Sequence, residues 1–207
     1  MNLLAIETSV ASASLCLYAQ GAILYRAEWQ AERNHDAHLF PALQKAMEAL
    51  GETDSLDYVL VGAGPGSYGG VRVALAAGVG IATVSQARLV AVESWAQLAG
   101  ENACVVADAR RGGWTVRFPD GRIDVLTPET LAGLPHSLYS TEPEGALAAL
   151  KLPLLKKEGL TPTAEGLVQT WLSMSREEQE AAASRPAEPI YVRPPHITVS
   201  TRKPWEV

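Results

Sequence analysis

Three groups of residues in this chain have the types and spacing to do chemistry, and each points to a different reaction. Gly64, Gly66 and Gly69, within Gly62-Ala63-Gly64-Pro65-Gly66-Ser67-Tyr68-Gly69-Gly70, have the G-x-G-x-x-G spacing that lets backbone amides approach a pyrophosphate at a helix N-terminus. The loop follows the apolar run Tyr58-Val59-Leu60-Val61, and Glu93 ends the next strand, where a dinucleotide site would bind a ribose hydroxyl. Glu7, followed by Thr8, and Asp108 each close an apolar strand. They would face each other across a two-lobed cleft, as the carboxylates that hold metal-bound phosphate do. His35 and His38, with Asp36 between them, raise a metal site.

Each group also has a reading without chemistry. Pro65 removes one amide donor from the glycine loop, and Gly70 stands where a P-loop needs lysine. Ser67 is not in a G-x-S-x-G elbow, and no histidine can be assigned as its base. The histidine pair has no second ligand cluster and reads as a helix start or an interface. The glycines equally serve close packing, because the following helix carries Ala74, Ala76, Ala77, Gly78, Gly80 and Ala82 at a cost in helix propensity. The sequence leaves open whether those small residues face the protein's own sheet or a neighbouring chain.

Composition narrows the class. With 207 residues, 47% hydrophobic and 19% charged, the chain reads as globular, of one domain or two small ones. A net charge of −6 gives no general attraction to phosphate backbones and disfavours unaided binding of nucleic acid. No apolar run approaches the roughly 20 residues of a membrane span, and no basic segment precedes an apolar stretch at the N-terminus. A cytoplasmic protein is expected, with no membrane partner. Cys16 and Cys104 lie inside apolar strand-like runs and read as buried thiols.

The elements that must position these residues follow from periodicity. Strands at 3–6, 13–18 and 23–29 with short connections predict an antiparallel meander. Leu39, Ala42, Leu43, Ala46, Met47 and Leu50 predict a helix ending at Gly51, with Asp36 as its cap and Pro41 near its first turn. A strand at 58–61, a helix at about 71–82, a strand at 89–92 and a short helix capped by Ser94 complete the first hundred residues.

The order then begins again. Strands at 103–107, 114–118 and 122–126 are followed by a helix that Thr127 caps with Pro128 at its first position. This predicts a duplicated unit, residues 1–100 and 101–207, with the second copy truncated. A helix at 164–174, a capping box at Ser175 to Glu178 and a proline-bounded extended tail close the chain.

Ile6-Glu7-Thr8-Ser9, Gly64-Pro65-Gly66-Ser67-Tyr68-Gly69-Gly70-Val71-Arg72, Asp108-Ala109-Arg110-Arg111 and Pro189-Ile190-Tyr191-Val192-Arg193 resemble, in order, the landmarks of the TsaB (YeaZ) family. The resemblance implies an α/β fold of the duplicated actin-like, sugar-kinase and Hsp70 type (ribonuclease H-like). It implies a non-catalytic subunit that pairs with a TsaD-type catalytic subunit, alongside a TsaE-type ATPase, to attach threonylcarbamoyl to adenosine in tRNA. It further implies a homodimer when alone, indirect contact with tRNA, and no cofactor of its own, with ATP at most at the partner interface. By the same resemblance, pairing falls on the first two helices, with Leu39, Leu43, Met47, Val71, Arg72, Leu75, Ala76 and Val79 as candidates. Glu7 stands where the family usually has aspartate and Gly69 where it has threonine, which weakens Glu7, Thr8 and Asp108 as a surviving nucleotide site. An ATP-dependent phosphotransferase, and after it a dinucleotide enzyme, remain the alternatives.

Overall fold

The first strand is apolar on both faces, which calls for a layer of helix on each side of its sheet. In the computed structural model, which describes residues 1–30, 36–51, 54–98, 102–142 and 160–193, β1 (Leu3–Glu7) is buried throughout. Leu4 and Ile6 face one side of the sheet, and Leu3 and Ala5 the other. With a side-chain period of two, both faces need a cover.

β1 pairs antiparallel with β2 (Ser12–Ala19), and β2 with β3 (Ala22–Gln30), forming the expected meander. On its other side β1 runs parallel to β4 (Tyr58–Gly62), which pairs in parallel with β5 (Arg88–Val92). The sheet order is therefore β3-β2-β1-β4-β5. The two parallel steps require crossover helices, supplied by α1 (Asp36–Leu50) and α2 (Tyr68–Ser85). Both lie on the Leu4 and Ile6 face, where Leu39, Ala42, Ala46, Val59, Val61 and Ala74 close the core.

α2 starts three residues earlier than the periodicity predicted. Ser67 is its cap, accepting a hydrogen bond from Gly70 N at 3.3 Å, so the glycines at 69 and 70 lie inside the first turn. At 18 residues and a mean hydropathy of 1.3, α2 is the one helix among the described residues long and apolar enough to match a membrane span. The sheet accounts for part of that apolarity, since Ala74, Gly78 and Ala82 are buried against it. The short helix expected after Ser94 is instead a series of turns closed by Ala96 N to Glu93 O (3.2 Å) and Leu98 N to Trp95 O (2.9 Å). The Ser94 hydroxyl accepts from Gly64 N at 3.0 Å rather than capping a helix.

The second sheet repeats the first. β6 (Ala103–Asp108), β7 (Trp114–Arg117) and β8 (Ile123–Leu126) form a meander, α3 (Pro128–Ala132) stands in the place of α1, and β9 (Ser137–Ser140) pairs in parallel with β6. The order β8-β7-β6-β9 matches β3-β2-β1-β4, and no fifth strand follows among the described residues.

The chain then returns to the first lobe. α4 (Ala164–Ser173) and α5 (Arg176–Ala183) pack on the face of the first sheet opposite α1 and α2. Leu167, Val168 and Trp171 of α4 cover Leu3, Ala5, Cys16 and Leu60, while Ser14 Oγ accepts from Ala164 N at 2.8 Å. The partition at residue 100 thus describes strand order, whereas contacts assign α4 and α5 to the first sheet. Burial there pushes the Cys16 thiol up to about 12, and Cys104 is also raised by burial; both are free and buried, as the sequence implied. Between the lobes, Trp95 and Leu98 pack with Val105 and Leu160.

Candidate functional site

The carboxylate of Glu7 ends β1 beside the end of β4, where parallel strands of such a sheet bind ligands at their carboxyl edge. The glycine loop closes that position from above. A Cβ at Gly62 would collide with the Glu7 carboxyl group, and one at Gly70 with the Thr8 carbonyl oxygen. Thr8 Oγ1 donates to Gly70 O at 2.7 Å, and Ser67 N donates to Ser9 O at 2.6 Å. Glu7, Thr8 and Ser9 are therefore all buried, and Glu7 is 0% exposed.

Within this enclosure Glu7 Oε1 accepts from Ser9 N at 2.7 Å, while Oε2 has no hydrogen-bond partner. Burial raises the Glu7 pKa above the usual carboxylate range, against the smaller opposing effect of the hydrogen bond from Ser9. A phosphate or a metal ion needs an ionised, accessible oxygen, and Glu7 offers neither accessibility nor a stabilised charge. The glycine loop is a lid of backbone over residues 7–9 and has no room for a pyrophosphate.

Asp108 holds the equivalent place in the second lobe and is spent locally. Its Oδ1 accepts from Arg110 N at 2.7 Å and its Oδ2 pairs with Arg110 Nη1 at 3.2 Å. Glu93, the candidate ribose ligand, is bound by Arg117 Nε across the lobes. His38 stacks on Trp29 with ring centroids 6.4 Å apart, His35 lies outside the described residues, and no metal-binding group of three ligands occurs among the described residues. Glu7 and Thr8 are thus enclosed under the glycine loop, and Asp108 is paired with Arg110 at the surface.

Among the described residues an open apolar groove lies between α1 and α2. It is a groove of about 820 Å³ whose walls are Leu39, Phe40, Leu43 and Met47 on α1 facing Val73, Ala76, Ala77, Gly80, Ile81 and Val84 on α2. Ser85 is the one polar lining residue, and none is charged. Phe40 is 60% exposed and Val84 87%, an arrangement that leaves apolar surface in water unless something covers it.

The groove sorts the residues expected on the pairing face. Leu39, Leu43, Met47 and Ala76 line it. Leu39 contributes to its floor while 2% exposed, and Val71, also 2% exposed, is absent from it and belongs to the core. Arg72, Leu75 and Val79 lie on the next strip of α2, outside the groove, with Arg72 Nη1 against Tyr68 Oη at 3.2 Å. Phe40, Val73, Ile81 and Val84 were not singled out by the sequence; Val73 and Ile81 fall inside the expected helix, and extending it to residue 85 would have added Val84. The small residues divide as well: Gly78 abuts Val61 and Leu89 of the sheet, while Gly80 has nothing within 4 Å and opens into the groove.

Two β-β-β-α-β units in tandem, each with an acidic residue at the end of its first strand, define the duplicated actin-like class of ribonuclease H-like folds. A family model described as TsaD, tRNA N6-adenosine threonylcarbamoyltransferase, matches residues 29–126, which span α1, α2 and the second meander. YeaZ from Pseudomonas aeruginosa superposes with a TM-score of 0.71 at 24% identity, over 92% of this chain and 99% of that one. A second Pseudomonas aeruginosa structure, described as an uncharacterised protein with similarity to the peptidase YeaZ, gives 0.73 at 25% identity over 93% and 99%. No curated protein matches the chain. In fold the chain is similar to these two YeaZ-type structures over nearly its whole length.

Proposed function

We propose that this chain acts in the threonylcarbamoyl modification of adenosine in tRNA as a non-catalytic subunit, docking its α1–α2 groove onto a TsaD-type catalytic subunit. The uncharged groove of about 820 Å³ carries the reading, because it leaves a contiguous apolar surface exposed on the first lobe, the chemistry a protein partner covers. The family model supports the choice of partner. It describes the catalytic transferase and matches the stretch that contains both groove helices, so the two proteins have related helices at this position. Related surfaces favour a pseudo-twofold pairing, and the same surface lets two copies of this chain pair when the partner is missing. On this reading a TsaE-type ATPase joins the assembly, tRNA is held by the other subunits, and any ATP lies at the subunit interface.

Reconstitution tests the reading. The chain and the TsaD-type subunit of the same source are co-purified, and threonylcarbamoyladenosine formation is measured with and without the chain. Loss of both co-purification and modification in Ala76→Glu is the expected result. Retention of both in Ala76→Glu and Val84→Glu rules the groove out as the docking surface.

A further inference from the structure

The last described residues, Pro189–Arg193, take no part in the groove yet touch both lobes. Ile190 N donates to Ala63 O at 2.8 Å, tying the segment to the glycine loop. The ring of Tyr191 stacks on Tyr68, the first residue of α2, with centroids 5.1 Å apart and planes 27° from parallel. Arg193 Nη1 then donates to Ala109 O at 3.3 Å and to Arg110 O at 3.0 Å, both in the β6–β7 turn of the second lobe.

That turn has an unusual backbone. Arg110, Arg111 and Gly112 follow one another with φ of 63°, 53° and 73°, and two of the three are L-residues in a conformation that their Cβ disfavours. Such backbone persists when its surroundings over-determine it. Two backbone hydrogen bonds close the turn, Ala109 N to Gly113 O at 3.0 Å and Gly113 N to Arg110 O at 3.1 Å; Asp108 adds a restraint through Arg110 N, and Arg193 adds one from outside through the carbonyl oxygens of Ala109 and Arg110. Gly113 makes the room: a Cβ there would collide with the Arg193 guanidinium.

We propose that Pro189–Arg193 is a strap that holds the glycine loop and the start of α2 in fixed register with the β6–β7 turn, with Arg193 as its positioning residue. Prolines on either side keep the segment extended and so lower the entropy lost when it docks. The planar guanidinium, with several donors on a rigid fork, reaches two carbonyl oxygens at once, which an ammonium does less well. The strap is a property of the chain alone and stands whether or not the groove pairs with a catalytic subunit.

Hydrogen exchange on the full chain tests it. Arg193→Ala is expected to speed exchange at the Ala109, Arg110 and Gly113 amides about tenfold, the factor for losing a hydrogen bond that restrains local opening. Tyr191→Ala, whose ring stacks on Tyr68 in the first lobe, is expected to speed the same second-lobe amides if the strap acts as one unit. Gly113→Ala, which expels the guanidinium from the opposite side, is expected to give the Arg193→Ala pattern, and the double variant nothing more. Amides of α4 serve as the control and are expected to keep their rates. Unchanged exchange at 109–113 in Arg193→Ala, an effect of Tyr191→Ala confined to the first lobe, or an equal acceleration in α4 would each overturn the strap. Should Arg193→Ala fail to fold, Arg193→Lys carries the same test, with a smaller acceleration at the same amides expected and an equal one in α4 counting against the strap.

Discussion

Arg117 on β7 of the second lobe donates from Nε to Glu93 Oε1 at the end of β5 of the first, so one ion pair joins the two sheets directly. The side chains are 11% and 21% exposed, and Arg117 Nη1 also donates to Phe118 O at 3.3 Å. Removing one partner from such a pair leaves the other charge desolvated without compensation. Arg117→Ala is therefore expected to cost about 3 kcal/mol, the low end of the range for buried pairs because Glu93 keeps some solvent. Its pH dependence has a definite sign. Burial already raises the Glu93 pKa and Arg117 opposes that rise, so the variant's Glu93 titrates higher still. A carboxyl group raised on folding contributes fully below its unfolded value and loses stability as pH rises through the folded value. The deficit of Arg117→Ala should accordingly grow from pH 4.5 to pH 8 in urea unfolding, and a deficit independent of pH would show that Glu93 does not bear the uncompensated charge.

Glu7 makes the related case without a cationic partner. Its pKa is raised by burial, so the wild-type chain binds more protons folded than unfolded above the ordinary value of 4.5, and stability declines as pH rises across that window. Glu7→Gln keeps an acceptor for Ser9 N and removes the titration. The Tm advantage of Glu7→Gln over wild type is expected to be smallest near pH 4 and to grow as pH rises through the folded pKa. A constant difference across the range would mean that Glu7 is ordinary in the folded protein and that the lid of glycines does not isolate it.

Core and docking residues on the same helices should separate by assay. Leu39→Ala removes a side chain buried against the first sheet and is expected to cost about 2–5 kcal/mol in stability, and Val71→Ala roughly half as much. Ala76→Glu and Val84→Glu change exposed groove residues and are expected to leave the monomer's stability within about 0.5 kcal/mol while abolishing association. Val79→Glu, 53% exposed but outside the groove, should keep the partner. Thermal unfolding alongside analytical ultracentrifugation reads both effects. Association lost in Val79→Glu and kept in Ala76→Glu would place the docking face one strip round the helix.

The two meanders, the crossover helices and the repeat were legible because each rests on local signals: the short apolar run of β1, three- and four-residue steps in α1, and Thr127-Pro128 opening α3. Glu7 and Asp108 were legible as strand ends for the same reason. Their fates were not, because burial of Glu7 depends on a loop more than fifty residues away and Asp108 is occupied by a turn of unusual backbone. The return of α4 to the first sheet was illegible too, since amphipathicity at Leu167, Val168 and Trp171 shows that a face is covered and not which sheet covers it. The same ambiguity holds for Leu39 and Val71, whose place on the inner side of α1 and α2 the apolar pattern does not reveal. Only the fold distinguishes a helix's inner stripe from a neighbouring apolar one.

Gly78 and Gly80 show the same ambiguity at its sharpest, two residues apart on one helix. A Cβ at Gly78 would lie 2.5 Å from Val61 Cγ1 and 2.9 Å from Leu89 Cδ1, so Gly78→Ala must push α2 off the sheet. Overpacking of this kind costs about 1–3 kcal/mol, more than the gain of roughly 1 kcal/mol from alanine's helix propensity. Gly80 has open space instead, and Gly80→Ala should collect the propensity gain with no clash. Gly78→Ala is thus expected to lower stability, and Gly80→Ala to raise it by up to about 1 kcal/mol, in urea denaturation of the isolated chain. If Gly80 also lets a partner helix approach closely, Gly80→Leu will weaken association although the folded monomer gains stability from it. A Gly80→Leu chain that associates as tightly as wild type would leave the groove's floor without a role in pairing.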